Sequence, residues 1–173
     1  AASPSAITEL LWQLGDEDVP VHIHVAEQTQ EVTDCIAATG RRPIDWLCRE
    51  LAPDARWQLV HATHTTPAEI AAVASCGAGV VLCPGTEGNL GDGLCDLPGW
   101  LQAGVPLAIG SDSHVTRNWP EELRWLEYGQ RLQLRQRNVA ASALSEPSTA
   151  ARLWNAALPA GARAAGLRHW GLM

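Results

Sequence analysis

The chain repeats one plan four times: a short run of apolar, mostly β-branched residues is followed by a segment with helical periodicity. The runs are VPVHIHV (19–25), RWQLVHA (56–62), AGVVLCP (78–84) and VPLAIGSD (105–112). Strands that alternate with helices form parallel sheets, because each helix carries the chain back to the end where the next strand begins. The sequence therefore predicts an α/β fold with parallel strands. Periodicity alone leaves open a doubly wound sheet and part of a (β/α)8 barrel.

Polar residues stand at or just after the ends of three of these runs. His24 lies near the end of the first run with Glu27 just beyond it, His61 lies near the end of the second and Asp112 closes the fourth. Barrel enzymes build their active sites at the C-terminal ends of their strands. This placement favours the barrel.

The stretch VHIHVAEQ (21–28) contains two histidines whose side chains share one face of a strand, because residues two apart point the same way. A neutral imidazole such as that of His24 suits zinc or another first-row ion, and a nearby carboxylate such as Glu27 can move protons. The same pattern is equally compatible with His22 and His24 simply forming hydrogen bonds inside a barrel.

His61 and Asp112 have similar pairs of interpretations. A histidine at a strand end can do acid–base work near neutral pH, or it can be a structural residue with satisfied hydrogen bonds. His64 is interpreted as a loop residue near such a site. Asp112 follows the apolar run PLAIG, so its carboxylate must be paired, solvated or metal-bound; capping a helix is the alternative.

The segment CPGTEGNLGDG (83–93) is predicted to be a loop. It is long for a strand–helix connection, which favours a functional loop. It lacks the Lys and Ser/Thr of a phosphate-binding loop. Glu87 and Asn89 are candidates for substrate contact, with ordinary turn chemistry as the alternative.

Charge and composition limit the classes of molecule that the protein is expected to bind. A net charge of -7 argues against a general nucleic-acid binder and leaves a small molecule as the expected substrate. No apolar run approaches the length of a membrane span, so a soluble, cytoplasmic protein is expected. The five cysteines are scattered without a CxxC pair, which predicts free thiols: Cys35, Cys48, Cys76, Cys83 and Cys95.

Four motifs, in order, are similar to those of the formimidoylglutamate deiminases of the amidohydrolase superfamily: HIHVAEQTQEV, RWQLVHATH, CPGTEGNLGDG and GSDSH. The likeness runs from about Val19 to about Gly166. It implies hydrolysis of N-formimidoyl-L-glutamate to N-formyl-L-glutamate and ammonia, a step of histidine breakdown. It also implies a zinc cofactor, one ion per complete enzyme, and a homodimer.

The resemblance assigns roles to individual residues. It implies that His24 and Asp112 are zinc ligands from the fifth and eighth barrel strands. Glu27 and His61, with Asp112, are implied to handle protons and charge. The family's other two zinc ligands are histidines of an HxH motif on the first barrel strand, which are expected upstream of this chain.

The expected architecture is therefore a partial barrel, approximately strands five to eight with their helices. Residues 1–173 are expected to form a single partial domain with a helical tail over 147–173, inactive by itself. The tail helix is predicted to be interrupted around Pro159 to Gly161. Pro67, with Thr66 as a candidate cap before it, is predicted to begin a helix. His22, Glu87 and Asn89 are the candidates for substrate binding.

Two other functions stay open. One is another amidohydrolase deaminase, acting on a nucleobase or a guanidino compound. The other is a non-catalytic α/β binding domain. Metal binding would distinguish the non-catalytic binding domain from both deaminases.

Overall fold

Four strands form one parallel sheet in chain order, in a computed structural model that describes residues 2–113, 117–142, 144–167 and 169–170. Each strand pairs in parallel with the next. The predicted α/β fold with parallel strands is confirmed, and it is consistent with part of a (β/α)8 barrel. The strands are β1 (Val21–Val25), β2 (Trp57–His61), β3 (Gly79–Leu82) and β4 (Leu107–Ile109).

Eight helices lie in the described part of the chain. One of them precedes the first predicted strand, where no helix was predicted. They are α1 (Pro4–Leu14), α2 (Thr29–Thr39), α3 (Pro43–Glu50), α4 (Pro67–Cys76), α5 (Pro84–Leu90), α6 (Leu97–Gln102), α7 (Trp119–Leu134) and α8 (Thr149–Ala164).

The start of α4 shows how local sequence sets a helix boundary. Thr66 accepts a hydrogen bond from the backbone N–H of Glu69, and the Glu69 side chain accepts one from the backbone N–H of Thr66. This reciprocal capping box satisfies two N–H groups that a helix start leaves unpaired. Pro67, which has no N–H, occupies the first helical position as the sequence predicts.

One face of the sheet packs against helices and forms the main core. Leu59, Leu82 and Leu107 from three strands are at most 1% exposed. Ile44 of α3 and Trp100 of α6 pack in the same cluster and are fully buried. Burying each such side chain contributes about 1.5–3 kcal/mol, so this layer holds the strands in place.

The opposite face of the sheet carries small side chains in register, and α8 lies against it. The small residues on both elements let the helix approach the strands closely. The cluster consists of Val60, Val81, Cys83, Ala108, Ala160 and Ala164.

The predicted interruption of the tail helix around Pro159–Gly161 is wrong, because α8 continues through both residues. Proline removes one helical hydrogen bond. Ala160 and Ala164, on either side of Gly161, are buried against the sheet, and this packing holds the helix together across the gap.

The glycine-rich segment after β3 also differs from its prediction. Instead of a loop, residues Pro84–Leu90 form the short helix α5. Its first four residues are buried. Tertiary packing has here overridden the low helix propensity of glycine.

Among the described residues, no helix is both long and apolar enough to cross a membrane. All five cysteines are free, as predicted.

Candidate active site

Three strand ends bring together the residues that the sequence singles out. His24 lies on β1, His61 ends β2 and Asp112 follows β4. One ligand atom from each lies within 4.8 Å of the other two. The parallel sheet produces this meeting, because it places all C-terminal strand ends along one edge.

His61 reaches the group only because its backbone departs from a regular strand. Its register partner is Val25, whose side chain packs in the helix-side core. At His61, however, φ is +68°, and the N–H of Ala62 binds the carbonyl of Val60, two residues earlier. This is a γ-turn of the rarer, positive-φ form. The ring of His61 therefore lies 4.9 Å from the ring of His24, while Ala62 takes the core position.

Two other strand ends carry non-glycine residues with positive φ. Ala26, directly after β1, has φ +53°, and Asp112 has φ +43°. Such conformations cost of the order of 1–3 kcal/mol each and persist where surrounding contacts impose them. Their concentration at one edge of the sheet is typical of a functional site.

Carboxylates surround the buried ring of His61. Its Nδ1 lies 3.3 Å from Oε1 of Glu87, and its Nε2 lies 3.4 Å from Oε1 of Glu27 and 3.8 Å from Oδ2 of Asp112. Burial lowers the pKa of His61, but the Glu87 hydrogen bond and the negative charges of Glu27, Glu87 and Asp112 outweigh burial. The pKa of His61 therefore lies above its ordinary value.

Glu27 is held at the site by a residue that the sequence analysis missed. The two carboxylate oxygens of Glu31 accept hydrogen bonds from the backbone N–H groups of Ala26 and Glu27, each at 2.8 Å. Glu31 lies in the first turn of α2, three residues after the N-cap Gln28. In a capping box, a glutamate three residues after the N-cap accepts a hydrogen bond from a backbone N–H at the helix start. The position of Glu31 in the sequence could therefore have predicted this role.

Helix α5 contacts two of the three strand ends. The carboxylate of Glu87 forms a hydrogen bond with Nδ1 of His61. The hydroxyl of the neighbouring Thr86 donates a hydrogen bond to the carbonyl of Ser111, the residue directly before Asp112. Glu87 and Thr86 are buried, whereas Asn89 is exposed at the far end of the helix. Thr86 carried no signal in the sequence, since an isolated threonine in a glycine-rich segment suits any turn.

His22 and His64 are not part of this group of ligand atoms. Nε2 of His22 lies 2.8 Å from the carbonyl oxygen of Ala164 in α8, on the same strand face as His24. His64 follows β2, and its Nε2 is buried without a hydrogen-bond partner among the described residues. His114 of the GSDSH motif lies outside the described residues.

The donor set of His24, His61 and Asp112 fits a first-row metal ion. Two imidazole nitrogens and a carboxylate oxygen suit zinc, whose ligands stand about 2.1 Å from the ion and therefore about 3.4 Å from one another. In this structure the three ligand atoms lie within 4.8 Å of one another. Nε2 of His61 is buried and has no hydrogen-bond partner among the described residues. These residues could hold a metal.

Histidine and carboxylate side chains gathered at the C-terminal edge of a parallel α/β sheet are typical of hydrolases of the (β/α)8-barrel class. The model of the amidohydrolase family matches residues 1–165. The chain belongs to the amidohydrolase family.

Individual relatives narrow the similarity. The chain is 52% identical over 166 residues to the formimidoylglutamate deiminase of Pseudomonas aeruginosa, a match that covers 96% of this chain and 36% of that protein. The crystal structure of an amidohydrolase from Brucella melitensis superposes with a TM-score of 0.92 at 44% identity, over 99% of this chain and 38% of the other. The crystal structure of an adenosine deaminase from Xanthomonas campestris with bound zinc superposes with a TM-score of 0.78 at 32% identity. This match covers 95% of this chain and 36% of the other. The chain thus spans little more than a third of the length of these relatives.

Proposed function

We propose that the gene product carrying this chain hydrolyses N-formimidoyl-L-glutamate to N-formyl-L-glutamate and ammonia. The observation that carries the chemistry is the meeting of His24, His61 and Asp112 within 4.8 Å, with Glu27 beside His61. The observation that supports this substrate is the 52% identity to a formimidoylglutamate deiminase over nearly the whole chain.

His24 and Asp112 would hold one zinc ion, together with two histidines supplied from outside this sequence. The ion, when bound, lowers the pKa of a water molecule from its value in bulk water to about 7. The N, N and O donors gathered at the strand ends support this assignment.

Glu27 is placed to move protons. Its side chain is 22% exposed, so it faces both His61 and the open edge of the sheet from which a substrate enters. In the proposed reaction the water oxygen adds to the formimidoyl carbon and the bond to the terminal nitrogen breaks. Glu27 and Asp112 take the water protons and pass them to that nitrogen, which leaves as ammonia.

His61 would stabilise charge as the formimidoyl carbon becomes tetrahedral. The carboxylates around it favour its protonated form, and its buried ring cannot reorient freely. A fixed positive charge or N–H group in a water-poor site stabilises developing negative charge more strongly than water does.

The assignment of His22, Glu87 and Asn89 to substrate binding stays a prediction. Nε2 of His22 contacts α8 and Glu87 contacts His61, whereas Asn89 is exposed on α5. The two carboxylates of the substrate would be bound mostly by residues outside this sequence.

The test is ammonia release from N-formimidoyl-L-glutamate by the gene product and, separately, by the 173-residue chain. We expect turnover by the first and none by the second, because two of the four zinc ligands are expected elsewhere. Equal activity of both would contradict the inactivity of the chain alone. Absence of turnover by the gene product would contradict the substrate.

A second candidate is deamination of an adenosine-type substrate. It is favoured by the structural similarity to the zinc-bound adenosine deaminase, at 32% identity. Adenosine in the same ammonia assay distinguishes the two, since the glutamate derivative is anionic and acyclic whereas adenosine is a neutral aromatic nucleoside.

A further inference from the structure

We propose that Glu87 is a positioning residue that fixes the orientation of the His61 ring, with hydrogen held on Nδ1 and with Nε2 directed at His24 and Asp112. The consequence for catalysis rests on the proposed function, whereas the orientation itself does not.

The first argument is the contact between the two side chains. Glu87 is 3% exposed and His61 is fully buried, so neither group exchanges this partner for water. Oε1 of Glu87 lies 3.3 Å from Nδ1 of His61. An ionised carboxylate only accepts hydrogen bonds, so the contact is attractive only when Nδ1 carries hydrogen. In the neutral ring Nε2 is then the free nitrogen.

The second argument is the arrangement around the ring. Glu87 lies on its Nδ1 side, while Glu27 and Asp112 lie on its Nε2 side at 3.4 and 3.8 Å. The contact with Glu87 therefore decides which ring nitrogen faces the candidate metal group. A carboxylate behind a histidine in this way fixes the ring and raises its basicity in metal sites generally.

The third argument is that the Glu87 carboxylate is itself held firmly. The same Oε1 accepts the backbone N–H of Cys83 at 2.9 Å. The start of α5 is tied to α7, because the N–H of Gly85 donates to Oε2 of Glu122 at 2.7 Å. Thr86 adds the bond to Ser111. Helix α5 thus carries both the residue that contacts His61 and the residue that contacts the segment before Asp112.

The fourth argument is the strain at His61. The γ-turn turns its ring away from the helix-side core, and such a conformation persists only where contacts impose it. The ring of His61 is held in this direction by its hydrogen bond to Glu87. This bond therefore accounts for a conformation that the strand alone would not adopt.

The test is a measurement of side-chain nitrogen shifts by long-range ¹H–¹⁵N NMR on the zinc-loaded gene product. Comparison with His61→Gln assigns the His61 resonances. We expect wild-type His61 to carry hydrogen on Nδ1. Glu87→Gln keeps it there, since the amide oxygen can still accept from both Cys83 and His61. Glu87→Leu loses it.

The kinetic arm separates positioning from stability. We expect Glu87→Leu to lower kcat about 10–100-fold with KM changed less than about 3-fold, and Glu87→Gln to recover most of the loss. The matched control is Glu127→Gln in α7, which neutralises another carboxylate that is 3% exposed and that accepts hydrogen bonds from the N–H groups of Val139 and Ala140. Its kcat and His61 shifts should match the wild type.

Wild-type His61 without hydrogen on Nδ1, or hydrogen retained on Nδ1 in Glu87→Leu, would overturn the proposal. The wild-type spectrum decides even if the leucine variant does not fold. If formimidoylglutamate is not turned over but the hydrogen on Nδ1 depends on Glu87, the positioning role stands and the proposed substrate fails.

Discussion

The carboxylate of Glu31 binds the backbone N–H of Glu27, four residues earlier, in a 2.8 Å hydrogen bond, and its other oxygen binds the N–H of Ala26. The first turn of α2 thus fixes the segment that carries a candidate proton-transfer group. Ala26, directly after the strand, has a positive φ, which is unfavourable for a residue other than glycine. The hydrogen bonds to Glu31 stabilise this conformation.

Replacing Glu31 with Ala should therefore lower the free energy of unfolding by about 1–3 kcal/mol, because two backbone N–H groups lose a charged acceptor. Urea denaturation of the gene product measures the change. The control is Glu9→Ala on α1, whose carboxylate has an exposed bond to Gln13. It should shift stability by less than about 0.5 kcal/mol. Equal effects of the two would contradict a special role for Glu31.

Metal content should depend on His24 and Asp112 but not on His22. We expect His24→Ala and Asp112→Ala to lose most of the bound zinc after dialysis, because each removes one donor of the group. His22→Ala, on the same strand two residues away, should retain it, since its Nε2 contacts the carbonyl of Ala164. Elemental analysis by mass spectrometry gives the stoichiometry. Zinc loss in His22→Ala would show that the site is assembled differently.

Glu27→Gln should lower kcat by about 10²–10⁴-fold while zinc content stays unchanged, because the amide keeps the shape of the side chain but cannot take up a proton. The neighbouring Gln28→Ala is the control, since Gln28 caps α2 without a side-chain hydrogen bond. Steady-state ammonia release measures both. A fully active Glu27→Gln variant would remove Glu27 from the mechanism.

The metal-free protein should lose stability as pH rises through the pKa of His61, because the ring then loses its proton. Its pKa in the folded state is raised above about 6.5, so its stabilising contribution is complete below about pH 6.5 and disappears as pH rises through the folded-state pKa. Urea denaturation of chelator-treated protein across pH 5–9 measures the slope. His61→Gln should be flatter over this window; an equal slope would assign the dependence to other groups.

The 173-residue chain expressed alone should self-associate. In the described sheet β1 and β4 each have a single neighbour, so one edge of each strand is unpaired. Unpaired edges pair with other chains. Light scattering after size-exclusion chromatography should report species larger than the monomer, increasing with concentration. A monomer with a cooperative thermal transition would contradict this expectation.

The fold was largely predictable from the sequence. The four apolar runs became the four strands, and Thr66 and Pro67 begin α4 as predicted, because strand periodicity and helix capping are local properties. Two predictions failed where packing overrode propensity: the glycine-rich segment is helix α5, and α8 continues through Pro159.

The sequence by itself determined which residue types stand at the strand ends, and parallel pairing then places His24, His61 and Asp112 at one edge of the sheet. What only the tertiary structure decided is the direction in which His61 points. Regular alternation would send its side chain to the helix-side core with Val25, its register partner. The positive φ at His61 reverses that direction, and Glu87, 26 residues later in the chain, holds the ring there. Strand patterning reports the average alternation of a segment, so it cannot register a single strained residue whose conformation depends on a distant contact.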